Sequence, residues 1–317
     1  MRVGLTGATG FIGRRLVAAL RRRGDEVRVF SRTVARARER LSPVSDFVEW
    51  DPRAGPAPAE ALSGLDAVVH LAGERVDQRW TQVTKRKIFD SRVAGTRNLV
   101  AGLERAEPRP AVLVSASAAG YYGDRGEEVL HEDAGAGSDF LAGVCVRWEQ
   151  AADEAAELGM RVVKVRTGVA LDRSGGALAR MLPPFRAGVG GPIASGRQYV
   201  PWIALDDLVG IYLAAIGDSR WARSVNACAP EAVTNREFSR ALGRGLQRPA
   251  LMPVPAVVLR ALFGEMAMVL VSSQRMVPAR ALGWGYQFRH PELESALEAA
   301  LRSRAWARSK RRFFLNA

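Results

Sequence analysis

Cysteine, histidine and lysine are all scarce in this chain of 317 residues, and each scarcity closes a route. Two cysteines, Cys145 and Cys228, and three histidines leave no Cys-x-x-Cys pair, no metal-ligand spacing and no disulfide framework, so no metal is expected. That usage fits a reducing compartment. The chain enters a strand at its first residues with no signal peptide read there, and a cytoplasmic setting is expected. Long apolar runs are missing too. The most apolar late stretch, residues 251–271, is broken by Pro253, Pro255, Arg260 and Glu265, which favours core helices over a membrane span. Charge is the one excess, a formal +13, but the arginines are spread along the whole chain. A composition bias explains that spread better than a binding stripe, and nucleic acid is not an expected partner. The dense basic cluster at residues 302–312, followed by Phe313-Phe314, reads as a solvated, frayed tail (304–317).

What is present begins at the first residues. Residues 2–6 read as a short buried strand. Gly7, Gly10 and Gly13 punctuate a turn, and a helix runs on from Phe11. Gly7 supplies the backbone dihedrals of the turn, Gly10 lets the main chain approach a phosphate, and Gly13 lets helix and sheet pack closely. An anion placed there meets the free N–H groups of a helix N-terminus. A glycine triplet alone is weak; one that follows a strand and opens a helix is a dinucleotide-binding signal. The second strand, residues 26–30, ends in Ser31-Arg32. An acid at that strand end bonds a ribose 2′-hydroxyl, whereas an arginine accommodates a 2′-phosphate. Arg32 therefore points to NADP(H), with Arg36, Arg38 and Arg40 adding positive potential.

Further strands are read at residues 47–50, 66–73, 111–115 and 161–166, with Asp51 after the third, near where an adenine would lie. Helices are read between them, at 81–103 and 138–158. Six strand–helix repeats mean a doubly wound parallel sheet of the α/β class. Residues 66–73 end in Leu71-Ala72-Gly73, small enough for a backbone passing close to a cofactor. On the 81–103 helix Arg92 shares a face with Ile88, Gly95, Thr96 and Leu99; a charge there needs a partner, either a cofactor phosphate or ribose or a structural carboxylate. The 138–158 helix has an apolar stripe of Leu141, Cys145, Trp148, Ala152 and Ala155. From about residue 171 the regularity breaks. Gly175-Gly176, Pro183-Pro184 and Gly190-Gly191-Pro192 mark long loops. Helices at 235–246, 254–263, 265–277 and 291–301 form a smaller, mostly helical part. The division is a Rossmann domain over 1–170 that also receives segments from 200–230, a substrate-binding helical part over 171–303, and the tail.

The motifs Thr6-Gly-Ala-Thr-Gly-Phe-Ile-Gly13, Asp90-Ser-Arg-Val93, Ser115-Ala-Ser-Ala-Ala-Gly-Tyr-Tyr-Gly-Asp124, Met181-Leu-Pro-Pro-Phe-Arg186 and Ser195-Gly-Arg-Gln198 resemble the extended, epimerase-like short-chain dehydrogenase/reductases. More closely, they resemble an atypical branch labelled nucleoside-diphosphate-sugar epimerase-like. The likeness runs from residue 1 to about 303. It implies NADP(H) held by Gly7, Thr9, Gly10, Phe11, Ile12, Gly13, Ser31, Arg32, Leu71, Ala72, Gly73, Ala116 and Arg166, with the loop from Gly168 to Ala170 flanking the nicotinamide. Arg92 stands where ordinary members carry an asparagine, and is expected to contact the cofactor. It also implies a C-terminal helical segment closing over a substrate. Ordinary members act through a Tyr-x-x-x-Lys pair, whose lysine holds the nicotinamide ribose. Alignment on Trp148-Glu149-Gln150 puts Leu141 at the tyrosine and Cys145 at the lysine, and this helix has no tyrosine. Ser117 keeps the usual serine position, with Ser115 the alternative. The candidate catalytic groups are thus Ser117, Tyr121, Tyr122 and Cys145, although a cysteine on an apolar stripe reads better as packed core.

These features lead to an NADP(H)-dependent oxidoreductase or sugar-nucleotide epimerase-like enzyme on a small-molecule substrate. The alternative is a protein that binds NADPH without turnover, as a sensor or scaffold.

Overall fold

The first five strands alternate with helices, as the periodicity demands. β1 (Arg2–Thr6), β2 (Glu26–Ser31), β3 (Asp46–Glu49), β4 (Ala67–His70) and β5 (Val112–Ala118) are joined by β6 (Arg161–Thr167) and β7 (Arg223–Ala227) in one seven-stranded sheet. Every neighbouring pair is parallel, in the order β7-β6-β5-β4-β1-β2-β3. The computed structural model describes residues 1–302 apart from Ser42 and Ser45, so the expected basic tail lies outside the described residues.

The connecting helices are α1 (Phe11–Arg22), α2 (Val34–Arg40), α3 (Ala59–Leu62), α4 (Gln82–Glu104) and α5 (Phe140–Glu157); α6 (Gly176–Arg186) and α7 (Leu205–Gly217) follow. Alternate strand residues face opposite helical layers. Val3, Leu5, Val69, Val114, Val163 and Val225 pack with Leu16 and Leu20 of α1 and Ile211 and Tyr212 of α7. Val68, Leu113 and Val162 pack with Leu99 and Leu103 of α4 and Ala152 and Ala155 of α5. Each valine, leucine or isoleucine among them contributes about 1.5–3 kcal/mol on burial. The sheet order reverses between β1 and β4, and the crevice beyond the strand ends at that point is where ligands bind in folds of this kind.

After Leu171 two expectations are corrected. The stretch around Pro183-Pro184 is the helix α6, not a loop. Leu178, Leu182 and Phe185 bury one stripe against the C-terminal core, and that burial outweighs the hydrogen bonds the prolines remove. Residues 265–277 are not one helix. A 3₁₀ turn (Gly264–Ala267) and a single helical turn (Met268–Val271) lead to a short strand, Arg275–Met276, parallel to Val129–Leu130. The amide of Ser273 donates to Asp124 Oδ1 at 3.0 Å, and that of Val277 to the Leu130 carbonyl at 3.1 Å. The acidic loop competes for these backbone groups and wins. The helix Asn235–Leu246 falls where it was read, started by a capping box of Thr234 and Glu237. Among the described residues no helix is long and apolar enough to cross a membrane.

Candidate cofactor site

β1 delivers the chain to Gly7, whose φ is +68°; a Cβ there would lie 2.7 Å from the Leu71 carbonyl carbon and 2.8 Å from the Ala72 nitrogen. Only glycine lets the ends of β1 and β4 approach this closely. A Cβ on Gly13 would meet the Gly7 oxygen at 2.3 Å, so that glycine seats α1 on the turn. Gly10 is the N-cap of α1, gives no side-chain cap, and no acid stands in the first helical turn. The N–H groups opening α1 are left for an anion.

Beside this turn runs a cleft of about 330 Å³, lined by the 6–10 turn, Ser31-Arg32-Thr33, Arg36, Arg40, 50–53, Leu71 to Glu74, and Ser91. The structure sorts the arginines that follow β2. Arg36 and Arg40, four apart on α2, both line the cleft, whereas Arg38 stacks on the Phe47 ring at 5.7 Å. Arg32, Arg36 and Arg40 form no ion pair among the described residues. Asp51 at the cleft wall is engaged by Arg53, which also lines it.

Phe11 and Ile12 open α1 but do not line the cleft; the Phe11 ring lies against Gly175 and Gly176, and Ile12 packs on the sheet core. Thr9 and Gly73 line it. Ala116 lies on the α1/α7 side of the sheet and is half-buried. Gly168 and Ala170 continue from β6 towards the strand Trp202–Ala204, and a Cβ on Gly168 would lie 2.1 Å from the Pro201 oxygen. Arg92 reaches from α4 to the Glu74 carbonyl, its guanidinium carbon 5.1 Å from the centre of the Trp148 ring, and burial pushes that guanidinium below its ordinary value.

The other candidates gather elsewhere, in a buried polar layer between the sheet and α5. Ser117, Arg166 and Asn226 are neighbours in one row across β5, β6 and β7. Ser117 Oγ donates to Glu149 Oε1 at 2.7 Å, and Arg166 grips the same carboxylate through Nε at 2.8 Å and Nη2 at 2.9 Å. Burial alone would lower the Arg166 guanidinium, but its bonds to Glu149 outweigh that and hold it above its ordinary value. Arg166 Nη1 donates to the Tyr122 hydroxyl, which itself donates to Asn226 Oδ1. Burial pushes the Tyr122 phenol up to about 12 and the Cys145 thiol likewise up to about 12. Arg166, which the likeness associates with the cofactor, thus spends its donors on protein oxygens. Ser115 is buried one residue pair back, its Oγ on the Ala116 carbonyl. Tyr121 differs from these: its ring lies 3.5 Å below the Arg166 guanidinium carbon, and its hydroxyl makes no hydrogen bond among the described residues.

Two features of the site have no local signature in the sequence. His70, at the end of β4, pairs its Nδ1 with Thr6 Oγ1 at 2.7 Å beneath the glycine turn. Glu149, read only as an alignment marker, is the hub of the polar layer.

The NAD dependent epimerase/dehydratase family model matches residues 3–228, and a domain of unknown function, DUF1731, matches residues 254–300. The chain is 40% identical over 311 residues to the Arabidopsis thaliana "Epimerase family protein SDR39U1 homolog, chloroplastic", covering 95% of this chain and 87% of that protein. It is 34% identical to the Bacillus subtilis epimerase family protein YfhF over 96% of this chain and 99% of the other. The crystal structure of human epimerase family protein SDR39U1 (isoform2) with NADPH superposes with a TM-score of 0.84 at 36% identity, over 95% of this chain and 99% of that one. Bacillus cereus UDP-glucuronic acid 4-epimerase, solved with UDP-glucuronic acid and NAD, shares the fold at a TM-score of 0.74, with 16% identity over 95% of this chain and 98% of the other. With the glycine turn, the switch-point cleft and a matching model over most of its length, the chain belongs to the NAD dependent epimerase/dehydratase family.

Proposed function

We propose that this protein binds NADP(H) along the cleft and acts as an oxidoreductase or epimerase-like enzyme on a small molecule. The observation that carries the cofactor choice is the trio Arg32, Arg36 and Arg40 at the β2 end of the cleft, none of them in an ion pair among the described residues. A 2′-phosphate suits that cluster better than a 2′-hydroxyl does. The pyrophosphate fits the Gly7–Gly13 turn, where an added Cβ would fill the cradle. Bound there, the cofactor would supply hydride exchange with a carbinol or carbonyl carbon. The chain's own residues hold and orient it: Ser31 and Arg32 at one ribose, Leu71 to Gly73 along its length, Gly168 and Ala170 towards the other end. Of the four catalytic candidates, Tyr121 alone keeps an unengaged hydroxyl among the described residues, so proton transfer is placed there. A nucleotide sugar is the substrate class suggested by the likeness to sugar-nucleotide epimerases. The two buried free thiols suit a reducing compartment such as the cytoplasm.

A second reading, cofactor binding without turnover, is favoured by one observation: Ser117, Tyr122 and Cys145 are all locked in buried surroundings. Fluorescence titration of wild type and Arg32→Ala with NADPH and NADH tests the cofactor choice. Loss of a charge-assisted phosphate contact is expected to weaken NADPH by about 10- to 100-fold and NADH little. Equal weakening of both, or no binding of NADPH by wild type, would overturn the choice. Oxidation of bound NADPH on adding a carbonyl and nucleotide-sugar panel would separate the enzyme from the sensor.

A further inference from the structure

Arg92 is a cation with three of its five N–H donors unspent among the described residues. Its Nη1 donates to the carbonyls of Glu74 at 2.9 Å and Ile88 at 3.3 Å. Its Nε and Nη2 donate to nothing, and it forms no ion pair, among the described residues. The guanidinium is wedged between two flat surfaces. The Trp148 ring lies on one side at 5.1 Å, and the backbone of Gly73 approaches so closely that a Cβ there would stand 3.3 Å from the guanidinium carbon. The side chain is half-buried, and its unpartnered Nε and Nη2 stay open to solvent, so the oxygens of a ligand can accept their N–H groups. The surroundings say where those oxygens come from. Gly73 and Glu74, which Arg92 contacts, and Ser91, its chain neighbour, line the cleft at its β4 end, across the glycine turn from Arg32. Trp148 is one helical turn beyond Cys145, and the charge of Arg92 bears on that thiol. Cys145 is where the likeness puts the missing lysine, on a helix that carries neither lysine nor tyrosine.

We infer that Arg92 replaces that lysine from the opposite helix: its Nε–Nη2 edge binds the vicinal hydroxyls of the nicotinamide-side ribose. Two parallel donors on a rigid fork match two adjacent oxygens, which a single ammonium does not. The charge is moved from α5 to α4, and the α5 position, no longer needing a cation, closes as packed core around Cys145. Arginine keeps its proton at all working pH, so it holds the ribose without serving as a proton relay.

The inference rests on the NADP(H) reading, and three ligands separate the two. 2′-Phosphoadenosine 5′-diphosphate carries the adenosine half and both phosphates but no second ribose. 2′-Phospho-ADP-ribose adds the ribose, and NADPH adds the nicotinamide. Wild type is expected to bind the second ligand more tightly than the first. Arg92→Ala is expected to weaken NADPH and 2′-phospho-ADP-ribose by about tenfold or more, while 2′-phosphoadenosine 5′-diphosphate changes less than about twofold. Arg92→Met, which keeps an apolar stem against Trp148, should behave the same, with the ligand-free melting temperature checking that each variant is folded. Equal loss for all three ligands, or no loss, would overturn the inference, as would equal wild-type affinity for the first two ligands. Failure of wild type to bind NADPH would overturn the cofactor reading instead.

Discussion

His70 shows what one side chain does beneath the cofactor turn. Thr6 Oγ1 accepts the amides of Leu71 and Ala72, both at 3.2 Å, so its own proton is left for His70 Nδ1. That assigns the ring as the neutral tautomer with its proton on Nε2, a buried atom without a partner among the described residues. Burial pushes the imidazole down to about 4. The unfolded chain takes up this proton from about pH 6.5 downward, and the folded one refuses it, so stability is full above that pH and falls as pH drops towards 4. The loss is expected to reach roughly 3 kcal/mol. Urea unfolding of wild type and His70→Leu between pH 6.5 and 5 checks it. The wild-type stability should fall more steeply, and parallel slopes would remove His70 from the account. The same burial argument was legible in advance for Cys145, whose place on an apolar stripe already made it an inert thiol. It was not legible for Ser117, because sequence position does not say which face of the sheet a strand-end hydroxyl takes.

At the scale of elements, α5 is the one whose role changes between sequence and structure. Four members of its apolar stripe, Cys145, Trp148, Ala152 and Ala155, are buried, and the fifth, Leu141, is half-buried. Its decisive residue is nonetheless Glu149, which takes two bonds from Arg166 and one each from Ser117 and Ser224, fastening α5 to β5, β6 and β7. Removing one member of a buried ion pair strands the other, and Glu149→Ala is expected to cost about 3–5 kcal/mol in unfolding free energy. A change below about 1 kcal/mol in denaturant titration would mean that the layer is redundant. Elements set by strong periodicity, from β1 to α5, fall close to where the sequence puts them. α6 and the 264–276 segment do not, because burial of Leu178, Leu182 and Phe185 in one case and pairing with the acidic loop in the other come from residues distant in sequence.

Across the whole molecule, the sheet does not end where the first six strands do. β7 borders β6, and α7 places Ile211, Tyr212 and Ala215 on the core beneath β1 and β5. Later residues lock it further. The amide of Arg280 donates to Glu132 Oε1 at 3.1 Å, and the Tyr286 hydroxyl donates to the Asp207 carbonyl at 2.9 Å. A fragment of residues 1–170 is therefore expected not to fold, since it would bare Val163 and Val165 and leave Arg166 and Glu149 without Ser224 and Asn226. Circular dichroism and gel filtration of that fragment check this; a cooperative melt would show that the first 170 residues are self-sufficient. The formal +13 matters at this scale too, because three of the four arginines lining the cleft are set within nine residues rather than in a stripe across the surface.

The sequence by itself determined the parallel α/β plan, the glycine turn at the switch point and the arginine-rich end of the cleft. Those are local properties: a period of hydrophobicity, a residue without a Cβ, a charge next to a strand end. Only the tertiary structure decided which polar residues meet. A parallel sheet covered on both faces hides half of its strand-end side chains under a helix, and register, not spacing, put Ser117, Arg166 and Asn226 in one buried row. By the same logic Arg92 was brought from α4 to the ring of Trp148 on α5, where no run of neighbouring residues announces it.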